Sequence, residues 1–215
     1  MKVVDLSHTI CEDMPVFPGT LPPTIRTGTT VIKDGFYERE ITMFSHVGTH
    51  IDAPAHVLES AKTLDQFPIA KFAGSCCVVN LADLNSEVID LDFLIDFHCI
   101  IEKHDFVLFR TNWSQKWGTD AYFKDYPVLH QETTKWLAGF PNLKGVGIDA
   151  ISIDGIDSKN LENHRILFEK DIIVVENLKW LDTLPVKEFS FSCFPLNFTE
   201  ADGSPVRAVA YVQDS

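Results

Sequence analysis

The run His46-Val47-Gly48-Thr49-His50-Ile51-Asp52 holds two imidazoles and a carboxylate, and a third imidazole, His56, follows four residues later. Polar groups this dense are costly to bury unless a common partner gathers them, so the run dictates what the rest of the chain must be built around. The four-residue step from His46 to His50 would suit one face of a helix. Val47, Gly48, Thr49 and Ile51 are poor helix formers, however, and Pro54 closes the segment. An extended segment is expected instead. His50 and Asp52, two apart, then point to one face of a strand, and Gly48 lets the backbone bend so that His46 joins them. Imidazole nitrogen and carboxylate oxygen suit a borderline divalent ion such as zinc. Three protein ligands leave a coordination position for water, as in hydrolytic rather than structural centres. Two plainer readings stand beside this one: hydrogen-bonded histidines buried without metal, and a surface cluster that takes up metal adventitiously.

A centre founded on one segment needs partners from elsewhere. His164 lies in Leu161-Glu162-Asn163-His164, and Glu176 ends the apolar run Ile172-Ile173-Val174-Val175-Glu176. A carboxylate at the end of a buried strand is expensive unless paired or bound to a cation. Structurally, Glu176 could merely cap the turn that follows. Asp149 and Asp154, around Gly147-Ile148-Asp149 and Ser152-Ile153-Asp154, are weaker candidates that fit turn and capping positions as well.

The remaining composition narrows the partners. A net charge of -13 argues against nucleic acid, whose phosphates require clustered Lys and Arg, and against docking on an anionic membrane. With 45% hydrophobic and 23% charged residues the chain reads as globular, and 215 residues suffice for one substantial core. The five cysteines, Cys11, Cys76, Cys77, Cys99 and Cys193, form no C-x-x-C pair and no disulfide framework. Reduced thiols, and so a cytoplasmic location, are expected. The first residues carry no apolar signal region, and no run is long enough to span a bilayer.

Strands are expected at 3–6, 75–81, 106–111, 145–148, 172–176, 188–194 and 206–212, and a hairpin at 24–32 and 37–44 across the Asp34-Gly35 link. Helices fit 91–97, 130–140 and 178–184, with a further one near 158–165. Strands thus dominate both ends and βα alternation fills the middle, which implies a single mixed α/β domain over residues 1–215 with more than one sheet layer.

The unbroken pattern His-x-Gly-Thr-His-x-Asp-x-Pro-x-His from His46 to His56 resembles the central motif of the metal-dependent cyclase-like hydrolases. Bacterial kynurenine formamidases and isatin hydrolase are the best-known members of that family. The resemblance extends through Asp5-Leu6-Ser7-His8 with Met14-Pro15, Gly147-Ile148-Asp149, the segment His164 to Leu178, and Ala201-Asp202-Gly203-Ser204-Pro205-Val206-Arg207. It implies a layered β/β/α, swivelling-type fold assembled as a homodimer or homotetramer. It further implies one ion on His46, His50 and Asp52, and a second on Asp52, His164 and Glu176, with Asp52 bridging. The ions would be Zn2+, one or two, with Mn2+ also accepted, and His56 would be the general acid/base. The substrate would be a small aryl formamide, N-formyl-L-kynurenine above all, or otherwise a lactam or lactone such as isatin. Aryl substrates call for an aromatic pocket, for which Phe17, Phe36, Phe44 and Phe67 are candidates; Phe17 occupies a position where relatives often carry Trp or Tyr. A non-catalytic metal-binding descendant is the alternative from a different class.

Overall fold

A computed structural model describes residues 1–84, 86–185 and 188–213. In chain order the strands are Lys2–Asp5 (β1), Thr24–Thr29 (β2), Glu38–Thr42 (β3), His50–Asp52 (β4), Ala73–Asn80 (β5), Val88–Ile89 (β6), Phe106–Arg110 (β7), Val128–Leu129 (β8), Gly145–Ile148 (β9), Ile173–Glu176 (β10), Phe189–Ser192 (β11), Gly203–Pro205 (β12) and Val209–Val212 (β13). The helices are Val31–Asp34 (α1), Leu91–Leu94 (α2), His98–Ile101 (α3), Gln131–Leu137 (α4) and Glu162–Phe168 (α5).

Nine strands form one mixed sheet in the order β1-β13-β11-β5-β7-β9-β10-β4-β12. The central β5, β7, β9 and β10 run parallel, and every strand outside them pairs antiparallel. Parallel neighbours require crossover connections, and these carry α2 to α5. Side chains alternate across the sheet with period two. Cys77, Val79, Val107, Phe109, Val146 and Val174 share one core with Leu94, Ile101, Leu137 and Leu167 from the helical connections. Cys76, Phe106, Leu108, Ile173 and Val175 face the other way. There they join Ile51 from β4 and Val4, Phe191 and Ala210 from the opposite end of the sheet. Strands from both ends share a core with the middle because the sheet curls over on itself. That curl produces the expected β/β/α layering in one mixed domain. The adjacent Cys76 and Cys77 fall in opposite cores, as a strand demands, and all five cysteines are free. No helix among the described residues is long and apolar enough to cross a membrane.

Several local expectations are corrected. Residues 178–184 are not a helix: the Leu178 and Lys179 amides donate to the carbonyls of Ile148 and Leu6, and only a single 3-10 turn, Leu181–Thr183, forms. Asn177 and Trp180 take left-handed backbone angles of 57° and 56°, which no helix accommodates. The helix placed near 158–165 begins only at Glu162, after Leu161 at φ 49°, and extends to Phe168. The hairpin of β2 and β3 is present, but α1 fills its link, capped by the Thr30 hydroxyl and ended by Gly35 at φ 82°.

Candidate metal centre and its cavity

Strand register builds the centre. β4 lies between β10 and β12, so His50 sits opposite Glu176 on one side and Pro205 on the other, while Asp52 sits opposite Val174 and Gly203. His50 and Asp52 emerge on one face of β4, and Glu176 joins them from β10. Gly48 at φ +64° supplies the bend that returns His46 to the same face, a conformation that burdens any residue with a Cβ. On the far side, α5 delivers His164.

Hydrogen bonds fix which ring nitrogens point inward. The Nδ1 of His50 lies 2.9 Å from the Gly48 carbonyl oxygen, which also accepts from the Asn177 side-chain amide at 2.8 Å. The Nδ1 of His164 lies 2.7 Å from an Asp154 oxygen. Asp154 in turn accepts the backbone N–H groups of Asn163 and His164 at 3.0 and 3.1 Å, tying the ring's orientation to the first turn of α5. With their Nδ1 atoms engaged, both rings turn Nε2 inward. His50 Nε2 is 3.2 Å from Asp52 and 3.6 Å from Glu176, and His164 Nε2 is 3.2 Å from Glu176 and 3.5 Å from Asp52. Carboxylate or carbonyl partners on the outer nitrogen are the usual support of a metal-binding histidine.

Two compact donor sets share Asp52, His46/His50/Asp52 and Asp52/His164/Glu176, and a further set, His46/His56/Asp202, adjoins them at the rim; within each, one potential ligand atom per residue lies within 4.8 Å of the others. Asp52 belongs to the first two, with Oδ1 toward His46 and His50 and Oδ2 toward His164. Both of these sets combine imidazole nitrogen with carboxylate oxygen, which suits a divalent cation. The electrostatics agree. Asp52, Glu176 and Asp154 are buried carboxylates, and buried negative charge needs a cation. The rings serve that need here. Burial alone would lower the His46 pKa, but Asp52 and Asp202 overcome it and raise it to about 10. Burial likewise opposes charge on His50 and His164, and Asp52 for the former and Asp154 for the latter outweigh it, so both are raised. Asp52 is itself held well below the carboxylate range, against its burial, by His50 and His46.

His56 lies at the rim. The Pro54–His56 3-10 turn carries it out of β4, and its ring lies against that of His46, centroids 3.9 Å apart and planes tilted by 34°. Asp202 completes this corner, 2.8 Å from His46 Nε2 and 3.7 Å from His56 Nδ1. The His46 hydrogen bond holds the Asp202 carboxyl far below its ordinary range. Asp202 escaped the residue reading because a single Asp before Gly is an ordinary turn signal. Its only signal was its place in Ala201-Asp202-Gly203-Ser204-Pro205-Val206-Arg207, one of the stretches that carry the family resemblance. Asp154 orients His164. Asp149 accepts from Thr111 N and Oγ1 at 2.8 and 2.5 Å, a structural role away from the cluster.

The cluster floors a cavity of about 410 Å³, with Phe17, Phe44, Ile151 and Ile156 among its apolar walls. Of the four phenylalanines proposed for an aromatic pocket, Phe17 and Phe44 line it. Phe36 is exposed on the hairpin link, and Phe67 packs against Phe72 at the second core.

The family model "Putative cyclase" matches residues 4–155. A kynurenine formamidase from Bordetella avium (strain 197N) is 33% identical over 211 residues, spanning 97% of each chain. Among solved structures, an isatin hydrolase bound to the product analogue thioisatinate superposes with a TM-score of 0.89 at 21% identity, over 99% of this chain and 93% of that one. A potential metal-dependent hydrolase with cyclase activity superposes with a TM-score of 0.83 at 29% identity, over 100% of this chain and 99% of that one. The match over most of the chain, and a relative this similar along nearly its whole length, mean that the chain belongs to the cyclase family.

Proposed function

We propose that this chain is a metal-dependent hydrolase that cleaves the amide C–N bond of a small aryl formamide, N-formyl-L-kynurenine foremost, to kynurenine and formate. The observation that carries the proposal is the pair of His/carboxylate sets sharing Asp52 on the floor of a cavity walled by Phe17 and Phe44. Kinship with a kynurenine formamidase along the whole chain supports the substrate. His46, His50 and Asp52 hold one ion, and Asp52, His164 and Glu176 a second. Zinc suits both sets, and manganese suits the carboxylate-rich one. The protein acts as a cytoplasmic homodimer or homotetramer.

A divalent ion bound there supplies Lewis acidity and lowers the pKa of water from about 16 toward about 7. His56 moves the protons. Water attacks the formyl carbon, and the imidazole takes its proton; as the C–N bond breaks, the same ring returns that proton to the departing aryl nitrogen, a poor leaving group unless protonated. Asp202 and the neighbouring His46 ring hold His56 beside the floor. Phe17 offers a flat surface to the substrate's ring.

The test is hydrolysis of N-formylkynurenine by protein as isolated, after chelation, and after zinc or manganese is restored. Turnover lost on chelation and regained with metal is expected. No turnover despite bound metal would refute the substrate and turn attention to cyclic amides such as isatin and to lactones. If no amide or lactone reacted, a non-catalytic metal protein would remain. In the same assay His56→Gln should retain metal and lose about 10²- to 10⁴-fold in kcat. A near-normal kcat would remove His56 from the chemistry.

A further inference from the structure

The cavity has an annex. His56, Lys159 and Leu161 border both it and a neighbouring groove of about 480 Å³, bounded on one side by residues 55–60 and on the other by Lys159, Asn160, Leu161 and Arg165. The two spaces differ in charge. The floor of the first is crowded with the carboxylates of Asp52, Glu176 and Asp202. The second carries two cations, Lys159 and Arg165, and one carboxylate, Glu59.

Neither cation is neutralised. Among the described residues Lys159 has no carboxylate partner, and Arg165 spends its Nε on the Asn160 carbonyl at 2.7 Å, leaving its terminal nitrogens free of any carboxylate. In a chain with 31 acidic and 18 basic residues, two unpaired cations side the same groove of the cavity mouth. Among the described residues, Lys159 is also the one Lys or Arg bordering the catalytic cavity itself. An anionic group is attracted to the unpaired cations of the groove, so a molecule with one anionic end has a preferred place for that end beside the cavity.

We infer that this groove is the subsite for an α-amino acid head group, with Lys159 and Arg165 facing its carboxylate and Glu59 its ammonium. The inference rests on the aryl formamide reading above and goes beyond it by assigning the residues that select amino-acid anilides over plain ones. The aryl ring lies between Phe17 and Phe44 with the amide over the metal ligands, and the head group reaches past His56 into the groove.

The experiment compares N-formylkynurenine with formanilide, which lacks the head group, on zinc-loaded protein. The wild-type protein should prefer N-formylkynurenine in kcat/KM. In the Lys159→Gln, Arg165→Gln double variant that preference should fall about 10-fold, mainly through KM, since two exposed ion pairs are each worth only a few-fold. Lys159→Arg should keep it, and added salt should erode it in the wild-type protein alone. Lys159→Gln by itself, a change on an exposed loop, guards against a folding defect in the double variant. An unchanged preference in a folded variant would overturn the assignment. Binding of kynurenine against kynuramine, which lacks the carboxylate, measured by calorimetry on the same zinc-loaded proteins, reads the subsite without turnover. Equal affinities in the wild-type protein would overturn it as well. Failure to hydrolyse either formamide while kynurenine is still preferred would refute the reaction and leave the subsite standing.

Discussion

Gly203 shows how an absent side chain sets the metal-ligand geometry. It lies opposite Asp52 in the sheet, and a Cβ there would sit 2.3 Å from Cε1 and 2.7 Å from Nε2 of His46. The ring fills the space beside Gly203, held between Asp52 at 2.6 Å and Asp202 at 2.8 Å. Gly203→Ala must push the imidazole away from one carboxylate or both, because the opposing contact is ring against backbone and neither yields cheaply. We expect metal affinity to fall about 10-fold or more, within the range seen when the support of a metal ligand is disturbed, with global stability less affected. Competition with a chromogenic chelator measures the first and thermal unfolding the second. Affinity equal to that of the wild-type protein would mean that His46 is not held by this contact. The ligating types and their spacing are plain in the sequence, since His46 and His50 stand six and two residues before Asp52 on a segment that cannot be helical. The need for glycine at 203 is not, because the ring that presses on it comes from 157 residues earlier in the chain.

At the scale of elements, the parallel strands were legible because burial on both faces leaves near-continuous apolar runs, as in Phe106-Val107-Leu108-Phe109 and Ile172-Ile173-Val174-Val175. β4 was legible from what it could not be: a segment of β-branched residues with a glycine, ended by proline. The 178–184 helix failed because an apolar, Leu- and Trp-containing stretch can be buried equally well by helix or loop, and the sheet claimed the amides of Leu178 and Lys179 first. Short strands such as β12 depend on pairing to a distant partner and leave almost no local trace. β9 depends on distance in a further way. Gly145 and Gly147 face the second core, where Phe106, Leu108, Ile173 and Leu178 fill the space a side chain would take; a Cβ at Gly147 would lie 2.5 Å from Leu108 Cδ2 and 2.8 Å from Leu178 Cδ1. Leu178 follows β10 by two residues, so overfilling here also bears on the strand that presents Glu176. Gly147→Val should cost about 1–3 kcal/mol by overpacking, read as a lowered denaturant midpoint. A variant as stable as the wild-type protein would show that this face of the sheet repacks freely.

On the scale of the whole molecule, the β2–β3 hairpin is the part least accounted for by a single chain. Its strands bury no residue fully, and Ile32, Phe36, Tyr37 and Ile41 are 98%, 56%, 55% and 53% exposed. A two-stranded hairpin alone is marginal in water, and large exposed apolar side chains gathered on one hairpin suit a surface that a partner covers. The occupant that matches the proposed homo-oligomer is a second copy of this chain. Coverage would also reach the cavity, because Phe44 follows β3 directly, is 54% exposed, and still forms part of the wall over His46 and His50. Closing the hairpin against a partner would shield that wall from water and strengthen the electrostatics of the site it encloses. Sedimentation of the wild-type protein should therefore give a dimer or larger at micromolar concentration. Ile41→Asp, which places a charge at an exposed hairpin position, should shift it toward monomer and raise KM for the aryl substrate, with metal content unchanged. A wild-type protein that sediments as a monomer at every concentration tested would refute the assembly. A variant that dissociates without any change in KM would keep the assembly but separate it from the cavity.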